Sequence, residues 1–114
     1  MADCLFCRVV NRQVPARIVH EDDRAVVIQD IHPQAPVHLL VIPRKHLASL
    51  GAALAEDEEL LGHLLLVAAQ MARERGLETK GYRTVFNNGA GAGQSVFHLH
   101  LHVLGGRALH WPPG

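Results

Sequence analysis

Aromatic residues make up only 4% of the 114-residue chain, and neither sign of charge is in excess, with 11 lysines and arginines against 11 aspartates and glutamates. A balanced chain offers no basic field of the kind that draws in duplexes, so polymeric nucleic acid is a poor partner. No apolar run reaches the ~18 residues a membrane span needs, and Met1-Ala2-Asp3-Cys4 has no cationic stretch ahead of an apolar core. The expectation is a soluble, cytoplasmic protein with no membrane partner. Cysteine is scarce: Cys4 and Cys7, three apart, suit a metal or redox pair better than a disulfide framework. With no repeat, linker or low-complexity stretch, residues 1–114 read as one domain.

What the chain has in abundance is histidine, nine in all, and imidazole is both the side chain that titrates near neutrality and the commonest metal ligand. Around these histidines the local pattern predicts a short helix capped by Asp3 and running through Asn11, with Leu5, Phe6 and Val9 or Val10 available for burial. β-Branched runs at 17–21 and 25–29 flank the turn Asp22-Asp23-Arg24, and Asp30 closes the second strand. After two prolines in 31–36, His38–Pro43 is apolar enough for a central strand. A long helix is expected over Ala55–Arg75, with Leu61, Leu64, Leu65, Ala68, Met71 and Ala72 on one face, acidic residues in its first turn and Gly76 at its stop. Tyr82–Phe86 and Val96–Leu104 read as strands separated by a glycine-rich loop, Asn87–Ser95. About five strands and one main helix give an α+β domain with a mostly antiparallel sheet.

The most informative stretch is His98-Leu99-His100-Leu101-His102. Alternation puts the three imidazoles on one face of a strand and the leucines on the other. At roughly 3.3 Å per residue the first and third lie about 13 Å apart at the backbone, too far to share one metal. The histidines must divide their labour: a middle one can act as nucleophile, a neighbour two residues on can move protons, and the remaining one can serve a structural site. The glycines of 87–95 allow backbone N–H groups to converge on an anion such as phosphate, although the loop is neither a Walker A sequence nor a dinucleotide fingerprint. Taken alone, it is an ordinary mobile turn.

His98 to Leu104 resembles the His-φ-His-φ-His-φ-φ motif of the histidine triad (HIT) superfamily. Glu21–Arg24, Asp30–His38, Val41–His46, Gly93–Val96 and Gly105–Gly114 are similar, in order, to segments of its Hint branch, the histidine triad nucleotide-binding proteins. The resemblance covers essentially the whole chain and implies a HIT-like fold with a five-stranded sheet, one long helix and a short N-terminal helix.

By that likeness, His100 is the expected nucleophile toward the α-phosphorus of a nucleoside 5′-phosphoramidate, forming a nucleotidyl-histidine that water hydrolyses. His102 is the expected proton donor to the leaving amine, with His38 in support. Nucleotide contacts carry over to Asp30 at the ribose, Ile31 beside sugar and base, and Asn87, Gly93, Gln94 and Ser95 around the phosphate. A dinucleoside-polyphosphate hydrolase is the rival enzyme reading; His102 stands against it, because that branch usually carries Gln there. A nucleotide-binding or interaction module independent of turnover is the non-enzymatic alternative. His20 departs from the aromatic residue that Hint relatives often place before the acidic turn, so a purine preference is inherited from the likeness. The same likeness implies a structural zinc held by Cys4, Cys7, His46 and His98, and a homodimer in which Trp111 of the C-terminal tail approaches the partner's site.

Overall fold

A computed structural model describes residues 4–114. Five strands form one sheet: β1 (Ile18–Glu21), β2 (Ala25–Gln29), β3 (Val37–Pro43), β4 (Tyr82–Val85) and β5 (Leu101–Gly105). Their order is β1-β2-β3-β5-β4, and every pairing is antiparallel. Two helices flank the sheet, α1 (Leu5–Val10) and α2 (Glu58–Glu74), in the α+β arrangement expected.

The apolar runs of β2 and β3 are explained by burial on both faces. Ala25, Val27, Leu39 and Val41 pack with Leu64, Val67, Ala68, Met71 and Ala72 of α2. The alternate residues Val26, Ile28, Leu40 and Ile42 pack with Phe6, Val9 and Val10 of α1. On β5, Leu101 and Val103 join the α2 side, which leaves His102 on the face toward α1. His38, two residues before Leu40, shares that face.

Several boundaries differ from the sequence expectation. Asp3 lies outside the described residues, and Cys4 occupies the N-cap of α1, its thiol accepting the Cys7 N–H. Leu5 is half exposed where burial was expected, because the helix turns Phe6, Val9 and Val10 toward the sheet. Ala55–Asp57 forms a separate 3₁₀ turn ahead of α2; there the buried Asp57 carboxylate accepts the Leu54 N–H and the Lys45 ammonium. The buried stripe of α2 is 64, 67, 68, 71 and 72, so Val67 replaces Leu65, which is 47% exposed beside Leu66 at 72%.

The largest correction is at β5, which begins at Leu101 and not at Val96. The Leu99 N–H is taken by Leu47 O (2.6 Å) and the His98 ring by Pro43 O (2.8 Å). Residues 98 and 99 are thereby drawn onto the segment that follows β3. Leu99 still falls in the α2 core, so inward and outward positions keep alternating without a ladder. Among the described residues no helix is long and apolar enough to cross a membrane.

Candidate active site

The site hangs on the α1 face of the two central strands. His38 of β3 pairs with Leu104 of β5, and Leu40 with His102, so His38 and His102 are diagonal neighbours within reach of one another. Their rings meet at 2.8 Å, His38 Nε2 to His102 Nδ1. The proton in that bond can be assigned from its surroundings. The Gln34 N–H donates to His38 Nδ1 (3.0 Å), so His38 carries its proton on Nε2 and gives it to His102 Nδ1. His102 is left with its own proton on Nε2. Burial first, then the neighbouring His100 and His38, push the His102 pKa down to about 4. Burial likewise lowers that of His38, partly offset by the Asp30 carboxylate.

His100 has the complementary arrangement. Its Nδ1–H donates to the His98 carbonyl (2.8 Å), which leaves the Nε2 lone pair free for nucleophilic attack. The Phe6 ring stands edge-on to it, centroids 5.0 Å apart at 87°, and His102 lies 5.0 Å away on the other side. His100 and His102 open onto a cleft of about 370 Å³, whose lining also includes Asp30, Ile31, Asn87, Gly93 and Ser95. That volume is at the lower end of the usual range for small-molecule sites.

Each predicted contact residue can now be located. Ile31 is 85% exposed on the cleft rim, an apolar side chain with little packing in its own chain. Asp30 accepts the His32 N–H through Oδ1 and sets Oδ2 3.4 Å from His38 Nε2. Gln94 departs from the expectation. It is buried and does not line the cleft, because its Oε1 accepts the Gly89 N–H while its Nε2 donates to Ala48 O and Val96 O. Gln94 therefore sets the shape of the 89–96 loop. Gly93 beside it has φ +93°, a conformation that favours glycine. Trp111 is 82% exposed and does not line this chain's cleft.

His20, the departure noted in the sequence, does not line the cleft either. Its ring and that of His63 both donate to Asp22 Oδ2, at 3.1 and 2.8 Å, tying the β1–β2 turn to α2. Sequence reasoning missed Phe6 as a wall beside His100, and it missed the apolar end of the cleft formed by Leu5, Val9 and Ile28. The half-exposed Leu5, on the same helix as the buried Phe6 and Val9, is the feature that marks that wall.

Among the described residues two groups of metal-ligating atoms converge, each within 4.8 Å. In the first, Cys4, Cys7, His46 and His98 surround one point. Cys4 Sγ and Cys7 Sγ lie 3.3 and 3.5 Å from His98 Nδ1, Cys7 Sγ lies 3.4 Å from His46 Nδ1, and the two Nδ1 atoms are 3.0 Å apart. A tetrahedral ion bound by thiolate and imidazole at zinc distances has S···N edges of about 3.5 Å and N···N edges of about 3.3 Å. The protonation states agree. His98 donates Nε2–H to Pro43 O, which turns the Nδ1 lone pair toward the cysteines. Burial, followed by the adjacent Cys4, raises the Cys7 thiol pKa, a cost that a cation would relieve. The residues fit a closed Cys₂His₂ metal site. In the second group, Asp30, His38 and His102, the Gln34 N–H occupies the Nδ1 lone pair of His38. A cation at Nε2 would have to displace the proton that serves His102, so these atoms form a hydrogen-bond relay.

Residues 3–110 match the family described as scavenger mRNA decapping enzyme C-term binding. A HIT-like protein of Synechococcus elongatus is 54% identical over 112 residues, covering 98% of this chain and 97% of its own. A HIT family hydrolase from Legionella pneumophila is 48% identical with a TM-score of 0.97, covering 98% of this chain and 100% of that one. A zinc-bound histidine triad family protein from Mycobacterium smegmatis is 37% identical with a TM-score of 0.79, covering 93% and 76%. With the same fold, near-complete coverage and a triad on which His100 and His102 share a cleft while His98 turns to the cysteine cluster, this chain belongs to the histidine triad family.

Proposed function

We propose that this protein, acting as a single HIT domain of the Hint type over residues 1–114, hydrolyses nucleoside 5′-phosphoramidates to a nucleoside monophosphate and an amine. The observation that carries the reading is the pair of opposed tautomers: His100 presents a lone pair at Nε2, and His102 presents an N–H at Nε2, on one cleft. The nucleotide's phosphate lies between them, the ribose hydroxyls face Asp30, and the base packs against Ile31 and the apolar wall of Leu5, Val9 and Ile28. That wall supports a flat purine base.

His100 Nε2 attacks the α-phosphorus in line with the P–N bond. As that bond breaks, its electron pair goes to nitrogen, which leaves as amine after taking a proton from His102. His102 already carries a proton on Nε2 in the empty cleft. A second proton, taken up at Nδ1 with substrate as the His38–His102 bond reverses direction, makes the imidazolium that the phosphate anion favours and burial disfavours; giving its Nε2–H to the amine leaves the ring neutral. Neutral His102 then accepts a proton from the water that attacks the nucleotidyl-His100 linkage, and the nucleotide is released. An amine is expelled poorly unless it is protonated, so a titratable His102 supports P–N over P–O–P cleavage.

The Cys4–Cys7–His46–His98 site would hold zinc in this proposal, a reading supported by the convergence of its four ligand atoms and by a zinc-bound relative from M. smegmatis. Four protein ligands leave no position for water, so its contribution is structural. Exposed Leu54, Leu65 and Leu66, together with the open edge of the sheet at β4, support a homodimer, with Trp111 reaching the partner's cleft. The decisive assay is release of AMP from adenosine 5′-phosphoramidate by the wild type, with activity lost in a folded His100→Ala variant; equal turnover by that variant removes His100 from the mechanism.

A further inference from the structure

We propose that the cysteine–histidine cluster is a clasp on the peptide that orients the nucleophile, which makes His46 and His98 positioning residues for His100. This rests on the reading of His100 as nucleophile and of the cluster as a metal site. One peptide unit, that between His98 and Leu99, governs the orientation of His100. Its N–H donates to Leu47 O at 2.6 Å, and its carbonyl accepts the His100 Nδ1–H at 2.8 Å. A trans peptide is planar, with N–H and C=O on opposite sides, so fixing the N–H on Leu47 fixes where the carbonyl points. That carbonyl decides which nitrogen of His100 carries the proton. Rotation of this one unit would take the acceptor away from Nδ1 and let the proton move to Nε2, the atom that must attack.

The two segments joined by the Leu99–Leu47 bond are also the segments that supply the histidine ligands. His46 precedes Leu47, and His98 precedes Leu99; their Nδ1 atoms lie 3.0 Å apart in the cluster. An ion bound there joins the chain one residue before each end of the bond that sets the peptide. No element of regular structure does this job, since β5 starts only at Leu101. Cys4 and Cys7 complete the clasp from α1, the helix whose Phe6 contacts both rings, with centroids 5.0 Å from His100 and 6.1 Å from His98. The metal group therefore acts on chemistry through backbone orientation, at a distance from substrate.

His46→Ala removes one ligand while leaving His98, His100 and the cleft residues unsubstituted. Its expected result is loss of bound zinc, a kcat lower by about 10–100-fold with KM within about twofold, and a mixed tautomer for His100 in ¹⁵N NMR. His46→Cys, which keeps a tetrahedral Cys₃His set, should restore zinc, kcat and the single Nδ1–H tautomer. Should His46→Ala fail to fold, wild-type protein stripped with a chelator and reloaded with zinc supplies the same comparison. The tautomer and the zinc content are read without substrate, so inactivity toward phosphoramidates would refute the proposed reaction while leaving these two readouts intact. A folded, zinc-free protein with an unchanged Nδ1–H His100 and wild-type kcat would overturn the clasp.

Discussion

His102 should impose an acid limit on stability that one substitution removes. Its pKa of about 4 in the folded protein, against an ordinary 6.5, arises because burial disfavours the imidazolium and two neighbouring imidazoles add to that penalty. Between those values the unfolded chain takes up a proton that the folded chain refuses. Stability is therefore complete above about pH 6.5 and falls as the pH drops toward 4. At about 1.4 kcal/mol for each tenfold change in proton affinity, the full effect is about 3 kcal/mol, of which roughly 2–3 kcal/mol has been lost by pH 4.5. Urea unfolding at pH 7.5 and 4.5 measures it. The wild type should lose roughly 2–3 kcal/mol more between the two than His102→Gln, whose amide does not titrate in this range. Acid effects on the cysteine–histidine cluster enter both proteins and cancel, whereas His38 is bonded to His102, so its part is separated by the same comparison of His38→Gln with the double variant. A difference below about 1 kcal/mol would refute the assignment of a buried, neutral His102.

Other consequences are measurable. A nucleoside monophosphate in the cleft should raise the His102 pKa, seen as a shift of its imidazole titration by NMR, because the anion favours the charged ring. Gly105→Ala would set a Cβ 2.7 Å from Leu77 Cδ1; overpacking of this kind should destabilise by about 1–3 kcal/mol in chemical denaturation, with the cleft residues untouched. Leu66→Lys should convert a dimer to monomer by sedimentation without changing the unfolding midpoint of the monomer, since Leu66 is 72% exposed in the chain itself. Protein purified without chelator should carry about one zinc per chain by elemental analysis, and fewer than about half an equivalent would count against the Cys₂His₂ site.

The parts of the fold legible in the sequence are those where local pattern and tertiary environment agree. The unbroken apolar runs of β2 and β3 are strands buried on both faces, and α2 declares itself by its 3.6-residue stripe. The sequence pattern misplaces one member of the α2 stripe, Leu65 in place of Val67, because leucines occupy neighbouring helical columns and hydrophobicity does not say which column meets the core. The late start of β5 was invisible for a different reason. Alternation of His and Leu persists through 98–100 even though the Leu99 N–H bonds to Leu47 O and the His98 ring to Pro43 O in place of a ladder. Convergence of Cys4, Cys7, His46 and His98 depends on contacts spanning up to 94 positions; family likeness pointed to it, and spacing alone would not. The role of Gln94 was hidden because a buried amide and a ligand-binding amide look the same in a string of letters.

The order β1-β2-β3-β5-β4 also bears on how the molecule is made. Strands one to three are successive neighbours and can zip together as they emerge from the ribosome, but the fourth has to wait. Among the described residues its only partner in the sheet is the fifth, which is synthesised after it and slots between two strands already in existence. Since His102 lies on this inserted strand and His100 immediately precedes it, the proposed catalytic pair is brought together at this last pairing, and intermediates arrested before it would display an unfilled hydrogen-bonding edge along β3.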